Sequence, residues 1–274
     1  MPYVDRTSAT SARASEWDRR IQRAAELAGT MPAAAEILLF YRRVLEFQRT
    51  VYNDASLQTV PAIEKGTPLR EHLDLTLACR HLPELMRLAE EHGTASLAQK
   101  ARELRATPQE QQREMLQAFR SSPEADPYSF FARVLLQPCA ERLARNYPPQ
   151  PPGPGGFRCP LCGARPQAAV LRPEGEGGKR FLLCSFCLTE WEFRRVLCPT
   201  CGEEDYQKLP RYSAEQVDAV RVEACDTCHF YLKSVDLTAN GLAVPVVDEV
   251  ATVPLDIWGA EHGYKKVQPN IMGL

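Results

Sequence analysis

Four Cys-x-x-Cys pairs crowd between residues 159 and 228 of a 274-residue chain: Cys159 with Cys162, Cys184 with Cys187, Cys198 with Cys201, and Cys225 with Cys228. Two thiolates separated by two residues reach one ion at about 2.3 Å, and tetrahedral coordination takes two such pairs from opposite sides. The first and third pairs stand 39 residues apart and the second and fourth 41, so the region reads as one unit used twice: knuckle, β-hairpin, knuckle. Sequence proximity assigns Cys159, Cys162, Cys184 and Cys187 to one site and Cys198, Cys201, Cys225 and Cys228 to another. A crossed arrangement, first knuckle with third and second with fourth, also satisfies the spacing. Gly163 and Gly202 follow the first and third pairs, as a tight turn needs if backbone N–H groups are to point at the sulfurs. Leu188 and His229 follow the other two, which are expected to be less regular.

The compartment decides between metal and disulfide. No run of about 18 apolar residues exists, and Met1 to Arg20 lacks the apolar core of a signal peptide, so the chain is expected in the cytoplasm, without membrane insertion. In that reducing environment, thiol pairs at short spacing hold metal or do redox chemistry. A thioredoxin-type motif needs one pair on a βαβ frame, which this region lacks. Equal pairs flanking hairpins suit mononuclear tetrahedral sites better than an iron–sulfur cluster, and all-sulfur ligands accept zinc or a single iron alike. Metal binding would supply much of the folding energy of a small β region with few apolar residues.

From Ser15 to about Asn146 apolar residues recur every three or four positions, predicting about six helices. Ile37, Tyr41, Val44 and Gln48 form one stripe, with Leu38, Leu45 and Tyr52 beside it. Thr107-Pro108-Gln109-Glu110 reads as a helix start in which the Thr hydroxyl accepts an orphan N–H. Cys79 and Cys139 lack partners at ligand spacing and are assigned to the core. Tyr147 to Gly156, rich in Pro and Gly, cannot continue a helix and is the predicted linker. Beyond it, Arg180 to Leu183, Glu190 to Leu197, Ala219 to Glu223 and Tyr231 to Leu237 read as strands, with Glu174 to Gly178 as a hairpin tip.

The expected fold is therefore α+β: a helical bundle over 1–146, a linker over 147–156, a first four-cysteine ribbon over 157–196, and a second ribbon with a C-terminal tail over 197–274. Both modules are of the rubredoxin-like or zinc-ribbon-like kind. No nucleophile–base–orienter set, phosphate loop or zincin helix is present, so an enzyme is not expected. Residues from 157 onward carry 13 basic and 16 acidic side chains, which disfavours the alternative of a nucleic-acid-binding zinc ribbon. A rubredoxin-like electron carrier is the other alternative.

The stretch Gly178-Lys179-Arg180-Phe181-Leu182-Leu183-Cys184-Ser185-Phe186-Cys187-Leu188-Thr189-Glu190-Trp191, continuing through Arg194-Arg195-Val196-Leu197-Cys198, resembles the formate dehydrogenase accessory protein FdhE family. So do Cys225-Asp226-Thr227-Cys228, Tyr231-Leu232-Lys233, and the ending with Gly263-Tyr264 and Asn270. The resemblance covers Phe157 to the C-terminus, extends more loosely to a helical domain of the right size, and departs at His229, where a small residue is expected. It implies a cytoplasmic, non-catalytic assembly factor with two rubredoxin-like sites, iron rather than zinc. The implied partner is the catalytic subunit of respiratory formate dehydrogenase. By their place on the strand between the sites, Glu190, Trp191 and Arg194 are the candidate partner contacts, split between two faces by alternation, with Trp191 equally readable as core.

Overall fold

The apolar stripes of the first half fold as helices. The computed structural model describes residues 6–54, 67–121, 129–147, 156–175, 177–214, 217 and 219–274, with side chains from Glu16 onward. Seven α-helices precede residue 147 among the described residues: α1 (Arg6–Thr30), α2 (Ala35–Asn53), α3 (Leu75–Cys79), α4 (Leu82–His92), α5 (Ala95–Ala106), α6 (Gln109–Ser121) and α7 (Ser129–Asn146). On α2 the two stripes are buried as their spacing requires: Leu38, Tyr41, Val44, Leu45, Gln48 and Tyr52 all face inward. Helix α6 begins where expected, but its start is not capped as expected. The Thr107 hydroxyl donates backward to the Leu104 carbonyl at 2.7 Å, closing the end of α5 instead of accepting from α6. Thr94, by contrast, does cap α5, accepting the Leu97 N–H at 3.2 Å.

Helix α7 carries Pro138 in its interior. Proline offers no N–H to the carbonyl four residues back, so Val134 loses its intrahelical donor. Gln48 of α2 supplies the replacement, its Nε2 donating to the Val134 oxygen at 3.1 Å and to Gln137 Oε1 at 3.2 Å. Gln137 in turn donates to the Ser185 carbonyl at 3.1 Å, inside the second knuckle. A break in one helix is thereby turned into a chain of amides that seats a metal-site loop on the bundle.

The second half is one sheet. β1 (Pro166–Glu174), β2 (Gly177–Cys184) and β3 (Glu190–Glu192) form an antiparallel meander, as do β4 (Arg211–Ser213), β5 (Val220–Ala224) and β6 (Phe230–Asp236). The doubling read from the cysteine spacing is thus a doubling of three-stranded units. They fuse edge to edge because β1 and β6 pair in parallel, giving the order β3-β2-β1-β6-β5-β4. β7 (Lys265–Lys266) adds to the opposite end of that β6 edge. The strand expected over Glu190 to Leu197 stops at Glu192, because Arg180 of β2 takes up the Arg194 carbonyl with its guanidinium at 2.9 Å. The tail, for which no helix was expected, forms α8 (Pro245–Ala251) and α9 (Val253–Glu261), each with Pro in its first turn.

One apolar core runs from Trp17 and Leu38 through Leu135 and Cys139 to Val170, Leu182, Val247 and Ile271, joining helices and sheet; Cys79 is half-buried against it. Polar ties cross the same boundary. Arg23 of α1 holds Asp248 of α8 at 2.6 and 3.1 Å, and Arg20 holds buried Glu141 of α7 at 2.8 and 2.9 Å. The linker reading falls mainly on 148–155 and the hairpin tip includes Glu176, both outside the described residues. At the linker's ends, the Tyr147 hydroxyl donates to the Thr67 carbonyl and the Gly156 carbonyl accepts from the Trp191 indole, at 2.6 and 2.7 Å.

Candidate metal centres

The four knuckles share one backbone design. In each, the residue after the second cysteine takes a left-handed conformation: φ is +73° at Gly163, +56° at Leu188, +80° at Gly202 and +57° at His229. The N–H groups of Gly163, Gly202 and His229 donate to the carbonyl of their knuckle's first cysteine at 2.9, 3.1 and 2.8 Å. The expectation that the second and fourth knuckles would be irregular is corrected: their turns match the glycine-bearing pair. Leu188 and His229 bear a strain of about 1–2 kcal/mol that glycine avoids, and the turn is held because the flanking strands and sulfurs leave no alternative.

The sulfurs gather by adjacent pairs, not crossed ones. In the first cluster Cys159 and Cys187 lie 3.5 Å apart and Cys162 and Cys184 lie 3.4 Å apart; in the second, Cys198–Cys228 and Cys201–Cys225 are both 3.7 Å. Within each cluster all four ligand atoms lie within 4.8 Å of one another. A tetrahedron with metal–sulfur bonds of about 2.3 Å has edges of about 3.8 Å, so either cluster could hold one ion with little adjustment. The donors' own chemistry also fits a cation. Burial pushes the Cys184 and Cys187 thiols up, whereas hydrogen bonds from the neighbouring thiols, Cys159 first, pull Cys162 well below the ordinary range. In the second cluster burial opposes ionisation of Cys198, but the N–H groups of Cys201 and Thr200 outweigh it and its thiol is lowered; burial raises Cys225 and Cys228. Four sulfurs this close ionise together only around a positive ion. Backbone N–H groups stand ready for that charge: Phe186 and Cys187 point at Cys184 Sγ at 3.3 and 3.4 Å, and Thr200 at Cys198 Sγ at 3.4 Å.

The two clusters differ in cover. The first is sealed, its sulfur residues no more than 3% exposed. Helical-region groups clamp its knuckles: Leu69 N–H donates to the Leu161 carbonyl at 2.9 Å, Arg70 to the Cys162 carbonyl at 2.8 Å, and Phe119 meets Phe186 edge-on at 5.7 Å. The second cluster reaches the surface, with Cys201 exposed and Cys228 half-exposed. Beside it sits an aromatic group in which Trp258 contacts Tyr212 at 4.3 Å and His262 at 4.1 Å, while His229 lies 6.3 Å from Tyr264. Among these, the Tyr264 hydroxyl donates to Asp226 at 2.6 Å, tying the aromatic group to the fourth knuckle.

The three candidate partner contacts have separate fates. Trp191 is 4% exposed and its indole is committed to the Gly156 carbonyl, so it positions the chain entering the first knuckle and offers no ring to a partner. Glu190 is held by Arg172 through two contacts of 2.6 and 2.7 Å. Arg194 is exposed and paired with Glu204 at 2.7 and 3.0 Å. Between the two clusters, buried Arg180 of β2 meets Glu223 of β5 at 2.7 Å and lies over the Phe193 ring at 5.2 Å, bracing one ribbon on the other.

Sequence reasoning missed a buried charge quartet behind the sheet. Lys233 and Glu249 are fully buried, 3.1 Å apart, and Lys233 also meets Asp256 at 2.6 Å. Lys266 pairs with the same two carboxylates, Asn270 donates to Glu249 at 2.8 Å, and the Tyr231 hydroxyl donates to Asp256 at 2.8 Å. The available signal was a lysine at the centre of the apolar strand Tyr231 to Leu237.

A helical region packed on two fused three-stranded ribbons, each closing a four-sulfur cluster, defines a paired-ribbon thiolate protein of the rubredoxin-like and zinc-ribbon-like class. Residues 158–195 match the family model described as FdhE, central domain, and residues 196–272 that of the FdhE C-terminal domain. A protein named Protein FdhE homolog from Aquifex aeolicus is 28% identical over 266 residues, covering 88% of this chain and 90% of that one. Another of the same name, from Shewanella oneidensis, is 38% identical over 98 residues, covering 36% of this chain and 32% of its own. The crystal structure of the FdhE protein from Pseudomonas aeruginosa shares the fold, with a TM-score of 0.68 and 24% identity over 93% of this chain and 95% of that one. Residues 158–272, which hold both clusters, thus match the FdhE domain models, and most of the chain is similar to a protein of that name.

Proposed function

We propose that this chain is a maturation factor for formate dehydrogenase. It binds the catalytic subunit of the respiratory enzyme in the cytoplasm and carries one metal ion in each four-cysteine site. The observation that supports this most directly is that both clusters are complete. Four sulfurs satisfy a tetrahedral ion and leave no position open for substrate, so the metals brace the ribbons and are not Lewis-acid centres. Cys159, Cys162, Cys184 and Cys187 would hold one ion and Cys198, Cys201, Cys225 and Cys228 the other, iron by family resemblance. What the ions supply is folding free energy and, if iron, a colour and a redox couple. The protein's own groups set the frame: the knuckle N–H groups orient the sulfurs, Arg180 and Glu223 join the ribbons, and the amide chain from Gln48 to Ser185 fixes site one on the bundle. Similarity to FdhE proteins supports the choice of partner. No helix among the described residues is long and apolar enough to cross a membrane.

Deleting the gene from a host that depends on respiratory formate dehydrogenase tests the reading. Enzyme activity should be lost while the catalytic subunit is still made, and a plasmid copy should restore it; unchanged activity in the deletion strain overturns the proposal.

A further inference from the structure

A cleft of about 920 Å³ opens where the ends of α6 and α7 face the first and second knuckles and the segment after β7. Its chemistry is one-sided. Arg70, Arg133, Arg158 and Arg165 all line it, and among the described residues none of the four is paired with a carboxylate. Arg70 and Arg158 donate to the carbonyls of Cys162 and Gly163, and Arg133 to those of Pro269 and Asn270, at 2.8 to 3.1 Å. These bonds aim the guanidiniums without neutralising them. Arg133 is partly buried, its guanidinium held by those backbone carbonyls. A cation in that position is costly unless an anion joins it. Phe130 and Phe230, both partly exposed, line the cleft with the arginines, so it offers apolar as well as cationic surface. Among the described lining residues Glu71 is the one carboxylate, and Lys266 is already engaged with Glu249 and Asp256.

This concentration of cations is local. The chain has a formal charge of −2, and its part from residue 157 carries three more acidic than basic residues. A polyanion with evenly spaced phosphates would be repelled beyond the cleft, whereas a short acidic peptide with apolar side chains would meet only the cleft. We propose that this cleft docks an extended acidic segment of the protein partner, its carboxylates taken by Arg70, Arg133, Arg158 and Arg165 and its apolar side chains by Phe130 and Phe230. The identity of that partner, the formate dehydrogenase catalytic subunit, rests on the preceding section; the cleft's preference for acidic peptide does not.

The test uses the full metal-loaded chain and its Arg158→Glu/Arg165→Glu variant, both substituted positions being exposed. Binding is measured to the purified catalytic subunit, to overlapping 15-residue peptides spanning that subunit, and to a single-stranded 12-nucleotide DNA. Acidic peptides should bind the wild type and weaken with added salt, and the variant should lose at least about tenfold in affinity for them and for the intact subunit. If the intact subunit binds both proteins equally, the cleft proposal falls and the partner reading stands. If acidic peptides bind at the cleft but the subunit does not, the partner reading falls and the cleft stands. Absence of any peptide binding overturns the cleft proposal, as does equal or tighter binding of the DNA. Should the reversed arginines instead lower metal content and leave peptide affinity unchanged, their role is to balance the charge of site one, and the proposal is again overturned.

Discussion

Replacing Lys233 by Met removes one charge from a quartet that water does not reach. Lys233 and Glu249 are each 0% exposed, and Asp256 and Lys266 only slightly more. Burial alone would raise the Glu249 carboxyl, but Lys233 and Lys266 outweigh it and hold the group down to about 2 from an ordinary value of 4.5. A displacement of that size corresponds to at most about 3 kcal/mol, because the same burial works against the charge on Lys233, whose pKa desolvation lowers despite Glu249 and Asp256. It falls at the low end of the roughly 3–5 kcal/mol lost when one partner of a buried ion pair is removed. Met fills the lysine stem's volume, so the loss should be electrostatic: two carboxylates would share Lys266. Guanidinium unfolding of the metal-loaded chain at neutral pH, followed by circular dichroism, should show Lys233→Met less stable by about 3 kcal/mol. Adding Glu249→Met restores the charge balance, so the double variant should lose less than the sum of the two single losses. A single-variant loss below about 1 kcal/mol, or strict additivity, would refute the reasoning. The sign with pH follows from the lowered carboxyl. Its contribution is fully present above about pH 4.5 and disappears as pH falls toward about 2.

Zinc-loaded protein should yield metal to a chromogenic chelator in two equal phases, the faster from the cluster that includes exposed Cys201 and half-exposed Cys228; a single phase releasing both ions contradicts the difference in cover. His229→Gly should raise stability by about 1 kcal/mol by relieving the left-handed turn at φ +57°, and a fall in thermal midpoint would contradict this. Gln48→Leu strands the Val134 carbonyl under Pro138 and should cost about 1–3 kcal/mol in denaturant unfolding, where a neutral result would mean that the carbonyl finds water or another donor.

The eight ligands and their grouping were legible because ligand geometry is local: two residues between cysteines, and a hairpin between pairs, leave adjacent closure as the short route. The helices were legible for a similar reason, since Leu38, Tyr41, Val44 and Leu45 announce their buried face through spacing alone. Left-handed turns at Gly163 and Gly202 show in the residue type, but those at Leu188 and His229 do not, because there the fold overrides a local preference. The parallel pairing of β1 with β6 joins residues more than 60 apart and has no turn signal. Charges carry no such local signal: nothing in the spacing of Lys233, Glu249, Asp256 and Lys266 shows that the tail helices fold back and bury them together. Trp191 takes the core reading of its two, its buried indole securing the Gly156 carbonyl.

The central claim, two independent four-cysteine metal sites on one chain, is tested most directly by native mass spectrometry of anaerobically purified protein and of variants with one cluster disabled. Wild type should carry two metal ions per chain, and Cys162→Ser/Cys184→Ser and Cys201→Ser/Cys225→Ser should each carry one. A wild-type chain holding fewer than two ions, or either variant still holding two, would contradict it.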